Sequence, residues 1–262
     1  MITTTRVPVL MYHEIGEPLD GWERRYFVAP ERFRAHMIAL RTAGYSPCTL
    51  DAFRDWAMGR SDLPLNAVLL TFDDAYRGVF LHAHPFLQSR SIPFSVFAVT
   101  SRIGSTDTWL SDIRSPRHSL MSAAELRQLA ASGVDLGSHS RRHADLTTLP
   151  DDALADEVAG SRAELENVIG KPVHCFSYPY GHVNALVRHH VAAAGYDCAF
   201  TTRSGFAAAG DDPLTVRRID VYGTDSVPAL LRKLRFGTND GSVVSAGRYY
   251  ALRVRQRLAK QP

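Results

Sequence analysis

The chain has 262 residues, a net charge of +3, and 45% hydrophobic and 22% charged residues. These proportions sit near globular averages and exclude a disordered, collagen-like or coiled-coil chain, while the length permits one large domain with a substantial core. No apolar run approaches the roughly 18 residues that a membrane helix needs.

Taken in chain order, apolar runs alternate with helical patterns. Residues 7–12 read as a first strand, too short for a secretory leader's apolar region. Pro30 and Glu31 open a helix to about Arg41, stopped by Gly44. Residues 67–72 form a continuous apolar run, the pattern of a strand covered on both faces. A helix over residues 77–90 and a strand over 94–99 follow. Ser122 and Glu125 form a capping box, and Gly133 closes that helix. After a short strand at 134–138 comes a long helix over 150–169, where Leu154, Val158, Leu165 and Ile169 make one stripe and Gly170 and Pro172 end it. A strand at 174–177, a helix at 184–194 closed by Gly195, and a strand at 198–201 complete the series. No linker or repeat interrupts it, so the pattern predicts a single α/β domain, barrel-like, with reacting groups where strands end.

The charge is uneven. Residues 232–262 hold eight basic residues (Arg232, Lys233, Arg235, Arg248, Arg253, Arg255, Arg257 and Lys260) against Asp240, a net of +7, which leaves −4 for the remainder. This predicts either a solvated helix face or contact with an anionic surface, a membrane face being the leading functional reading and nucleic acid not expected. Three scattered cysteines, Cys48, Cys175 and Cys198, make neither a disulfide framework nor a zinc cluster. With no leader segment read, the expected setting is cytoplasmic.

Four polar clusters fall at predicted strand ends. TFDD places Asp73 and Asp74 after the most apolar strand. Two adjacent carboxylates there need a cation or a donor, or else serve as a turn and helix cap. His139 and His143 are four apart and can share a metal, although the spacing alone also suits two loop histidines. With Asp74 they make a two-histidine, one-carboxylate set that leaves positions open for water and substrate on Zn²⁺ or a similar ion. FSYPYG, with Tyr180 and Gly181, is either a turn whose amide faces an oxyanion or an ordinary aromatic βα turn. His13, after the first strand, suits a proton donor or a surface histidine. Trp109 and Tyr180 can stack on a ring-shaped ligand or simply pack. His82 and His84 are expected to be structural, His189 and His190 solvated, and His182 could line a groove.

LMYHEI, TFDD, TDTWLSD, GSHSRRHADLTTL, FSYPYG, AAGYDCAFTTRSG and LTVRRI, in this order over residues 7–222, resemble the polysaccharide deacetylase family, carbohydrate esterase family 4. The motif style is nearest to poly-N-acetylglucosamine deacetylases. The resemblance implies a distorted (β/α)7-type barrel, here residues 1–225; residues 226–262, which it does not cover, are read as a basic helical extension. It implies Asp73 as catalytic base and Asp74, His139 and His143 as ligands of a divalent metal, Zn²⁺ with Co²⁺ or Ni²⁺ as substitutes. It implies His13 as general acid and an N-acetylated glycan, or a glycan precursor, as substrate. The family's arginine that orients the base is replaced here by Ser177. Arg217 or Arg218 can substitute from another loop, with Arg218 the better placed. Rival readings are a hydrolase of small cyclic amides or imides on the same fold and a non-catalytic glycan-binding homologue.

Overall fold

The computed structural model describes residues 4–18, 23–109 and 118–244. Seven parallel strands close a barrel: β1 (Val9–Tyr12), β3 (Ala67–Phe72), β4 (Ser95–Ala98), β5 (Asp135–Ser138), β6 (Cys175–Ser177), β7 (Cys198–Ser204) and β8 (Val216–Asp220). The spatial order is β1-β8-β7-β6-β5-β4-β3, and β3 pairs back onto β1 with Leu10 opposite Leu70. An eighth strand, β2 (Ser46–Cys48), lies outside the ring on the far edge of β3. The expected seven-stranded α/β barrel is therefore what the chain forms.

Strand alternation divides the core. Val9, Leu69, Phe97, Cys175, Cys198, Phe200 and Val216 cluster with Phe53 and Trp56 of α2 (Leu50–Ala57), the side of the strands facing the barrel interior. Leu10, Val68, Leu70, Phe72 and Val96 point the other way and pack under the helices. Those helices are α1 (Pro30–Thr42), α3 (His84–Gln88), α4 (Ala123–Ala131), α5 (Asp151–Ala155), α6 (Ser161–Ile169), α7 (Ala185–Ala193) and α8 (Val227–Phe236). The capping box at Ser122 and Glu125 forms at the start of α4, and Gly170, at φ +68°, closes α6.

Several elements differ from the sequence reading. The first run splits at Pro8 into Arg6–Val7 and β1, because proline cannot donate to the ladder. The helix expected at 77–90 is a π-helical turn (Val79–Ala83) followed by α3. The helix expected at 150–169 carries a π-helical turn, Asp156–Gly160, between α5 and α6. Elements β2, α2 and β8 were not read at all.

Among the basic residues of 232–262, Lys233 is no part of a solvated face. It is buried on α8 and paired with Asp225 at 2.5 Å, while Leu230 and Leu234 join the helix-layer core. Arg248, Arg253, Arg255, Arg257 and Lys260, and with them the expected membrane contact, lie outside the described residues. Among the described residues no helix is long and apolar enough to cross a membrane.

Candidate active site

The C-terminal ends of β1, β3, β5, β6 and β8 converge on one cavity of about 400 Å³. Its lining includes His13, Asp73, Asp74, Trp109, His139, His143 and Tyr180. The structure thus brings together seven of the eight residues singled out from sequence. Arg218, the eighth, lies behind Asp73.

The adjacent carboxylates reach one site because the chain leaves strand geometry after Asp73. Asp74 and Ala75 have φ of +70° and +57°, the left-handed region that aspartate tolerates better than most residues. Asp73 and Asp74 are both buried, at 2% and 4% exposure, yet their surroundings are opposite. Arg218, fully buried on β8, donates to Asp73 Oδ1 at 2.8 Å and Oδ2 at 2.7 Å. The same guanidinium donates to the Thr201 carbonyl at 2.9 Å and to Ser177 Oγ at 2.9 Å, and Ser177 Oγ donates to Asp73 Oδ2 at 3.0 Å. Burial alone pushes the Asp73 carboxyl upward. The Arg218 guanidinium and the nearby imidazoles outweigh it and hold Asp73 well below the usual carboxylate range. Arg217, the other arginine considered, is exposed.

Asp74 has no such compensation. Its Oδ1 is buried without a hydrogen-bond partner, and burial, followed by the Asp73 charge, pushes its carboxyl well above the usual range. His139 Nε2 and His143 Nε2 each lie 3.4 Å from that oxygen. The ligand-type atoms of Asp74, His139 and His143 all fall within 4.8 Å of one another. His139 Nδ1 lies 2.7 Å from the Ser177 carbonyl, which can only accept, so Nδ1 carries the proton and Nε2 presents a lone pair to the cluster. Burial lowers both histidines, His139 to about 4 and His143 well below its ordinary value, and keeps both imidazoles neutral. Two neutral imidazoles and an orphaned carboxylate oxygen facing one another fit a divalent cation, since three converging acceptors otherwise repel.

His13 lies across the cavity, edge-on to Tyr26 at 5.2 Å. Burial lowers its pKa, opposed by the charges of Asp73 and Asp220. Trp109 stacks on His143, with centroids 4.5 Å apart and planes at 25°, so one of its faces is already covered. Tyr180 meets His143 edge-on at 4.7 Å and is 44% exposed at the rim. It sits at φ +59° in a turn closed by Gly181 N–H to the Tyr178 carbonyl and His182 N–H to the Pro179 carbonyl, bonds that do not use its own amide. Gly181, at φ +72°, is required there, because a Cβ would lie 2.1 Å from Thr202 Oγ1.

Other histidines are accounted for. His84 is buried against Ser132 Oγ, His82 and His189 are exposed, and His190 and His182 pair with Asp151 and Asp145. Arg25, Tyr26 and Asp220 also line the cavity and were missed. Asp220 ends β8, so the strand-end rule finds it once that strand is recognised. Arg25 ends a single 3-10 turn (Glu23–Arg25), Tyr26 follows it, and neither carries a signal of its own.

The model for polysaccharide deacetylases matches residues 60–199, just over half of the chain. The chain belongs to the polysaccharide deacetylase family. Among members of this deacetylase family, the poly-β-1,6-N-acetyl-D-glucosamine N-deacetylase of Escherichia coli (strain K12) is 28% identical over 236 residues, covering 76% of this chain. The chain spans only about a third, 34%, of that protein. The structure of IcaB from Ammonifex degensii superposes with a TM-score of 0.74 at 28% identity, covering 86% of this chain and 95% of that one. The Streptococcus pyogenes deacetylase PplD, in complex with acetate, superposes at 0.76 with 21% identity, covering 88% and 99%, and speaks to the shared fold.

Proposed function

We propose that this chain is a metal-dependent N-deacetylase that cleaves the acetamido group of an N-acetylglucosamine-type glycan to acetate and a free amine. The observation that carries this reading is the pairing of two adjacent buried carboxylates with opposite partners: Asp73 held by Arg218, and Asp74 facing two neutral imidazoles. The family and the named activity of the Escherichia coli relative supply the substrate class.

Asp74, His139 and His143 would hold the ion, and this nitrogen-rich set with one carboxylate suits Zn²⁺, with Co²⁺ or Ni²⁺ as substitutes. When bound, the ion supplies Lewis-acid polarisation of the acetyl carbonyl and lowers the pKa of the attacking water. Asp73 accepts the proton from that water. Its carboxylate stays ionised and fixed in orientation because Arg218 and Ser177 occupy its outer lone pairs. The Tyr180 amide donates to the developing oxyanion. His13 donates a proton to the departing nitrogen, since a sugar amide anion does not leave unprotonated. The C–N bond breaks as that proton arrives. Tyr180, exposed at the rim, offers its ring to a sugar face, and Trp109 offers the edge and face not taken by His143.

The test is acetate release from N-acetylglucosamine oligomers by zinc-loaded and chelator-stripped protein. Release only when loaded supports the reading. Zinc uptake without acetate release favours a glycan-binding homologue, and turnover of cyclic ureides alone favours the small-amide hydrolase.

A further inference from the structure

We propose that Glu157 is a positioning residue of the metal centre, locking the reversed loop that carries both histidine ligands. The inference rests on the metal-dependent reading above. It concerns a residue two strand–helix units away in sequence from Asp73, which touches neither cavity nor ligand atoms.

The loop from His139 to His143 must turn back within three residues for two imidazoles to face one carboxylate. Two of its residues adopt left-handed backbone, Ser140 at φ +62° and His143 at +60°. Such conformations persist only where surroundings over-determine them. Here the determinant is one fully buried carboxylate. Glu157 Oε2 accepts the backbone N–H of both Arg141 and Arg142, each at 2.9 Å. Its Oε1 accepts Arg142 Nε at 2.6 Å. Two successive amides converging on one oxygen form a concave anion-binding nest, and the anion is supplied by the protein itself. The loop's carbonyls are tied from the other side: Ser140 O accepts the Thr100 amide at 3.1 Å and Arg141 O accepts the Ser101 amide at 3.0 Å. His143 N–H donates to Ser140 Oγ at 3.1 Å.

Glu157 reaches the loop from the π-helical turn Asp156–Gly160. Leu154, Glu157, Val158 and Ser161 are all buried along this helical stretch, so Glu157 points inward with the apolar stripe. The turn's last residue is glycine for a related reason: a Cβ on Gly160 would lie 2.8 Å from Arg141 Cδ, blocking the path by which Arg141 Nε reaches Glu164 at 2.9 Å. The distortion in the helix and the reversal in the loop are thus complementary halves of one clamp.

The test compares zinc affinity, by competition with a chelating dye, for wild type, Glu157→Gln and Arg142→Gln. Glu157→Gln is expected to bind zinc about 10–100-fold more weakly, with the KM for glycan at saturating zinc unchanged. Arg142→Gln keeps both backbone bonds and loses the side-chain pairs of a half-exposed arginine with Glu157 and Asp156, so its affinity is expected within about threefold of wild type. Wild-type affinity in Glu157→Gln overturns the positioning role while leaving the metal reading intact. A wild type that takes up no zinc overturns the metal reading and this inference with it. A measurement on unmutated apo protein stands apart from any folding defect: the Arg141 and Arg142 amides are expected to resist hydrogen exchange without zinc, and rapid exchange there overturns a preformed lock.

Discussion

Arg218 grips Asp73 through two nitrogens, at 2.8 and 2.7 Å, from β8, one strand beyond β1 in the ring. Both residues are buried, so the pair compensates two charges that water no longer solvates. Arg218→Met should cost roughly 3–5 kcal/mol of stability by stranding the carboxylate. Arg218→Lys should restore part of that stability but little activity, because an ammonium cannot reproduce the two-pronged geometry. Denaturant melts beside kcat/KM separate the two effects. A fully active lysine variant would show that charge alone is enough.

Asp74 should respond in the opposite sense. Its Oδ1 has no partner in the protein, so Asp74→Asn is expected to leave metal-free stability unchanged or higher. The same variant should lose the zinc-induced stabilisation, about 2.7 kcal/mol for wild type when free zinc is 100 times its Kd. Thermal melts with and without zinc check both parts. A drop in metal-free stability comparable to that of Arg218→Met would contradict the orphaned state of this oxygen.

For His13 the informative contrast is between substrates. His13→Asn should lower amide hydrolysis about 10²–10⁴-fold through kcat. Hydrolysis of an aryl acetate, whose phenolate leaves without a proton, should fall less than about tenfold. Equal losses on both would mean that His13 serves binding rather than proton donation.

Glu14 supplies a pH dependence that does not involve the ligands. It is buried, and burial pushes its carboxyl up to about 8, against backbone amides of Gly78 and Ile15 that pull it down. The folded state therefore holds this proton over a range in which the unfolded chain releases it. Stability should fall as pH rises from about 4.5 to about 8, by an amount on the order of 5 kcal/mol, and level off above that. Glu14→Gln should flatten the curve. Denaturant midpoints at several pH values decide it, and an unchanged slope in Glu14→Gln would place the titration elsewhere.

What could be read in advance follows the hydrophobic pattern. Ala67–Phe72 is apolar on both faces, and it forms the strand at the barrel's closure. Elements that carry polar work were illegible for the same reason. Val216–Asp220 reads VRRID, too polar to be read as a strand, although the resemblance singles out its Arg218, which the barrel interior pairs with Asp73. Pro47 obscured the outer strand Ser46–Cys48, which sits at an edge where a missing N–H is tolerated. Lys233 looked like part of a basic tail, and only the fold brings Asp225 to it. The site's histidines and aspartates were visible because strand ends punctuate the pattern. Glu157 was hidden because it looks like one more acid on an exposed helix.

Asp73 and Arg218 stand 145 residues apart. During synthesis at roughly 5–20 residues per second, Asp73 emerges about 7–29 s before Arg218, and N-terminal portions fold first. Over that interval the nascent barrel lacks its last strand, and the Asp73 carboxylate has no cation to offset its burial. Catalytic competence therefore arrives with the final strand in a single step. In this molecule hydrolytic activity would double as a sign that the ring has closed.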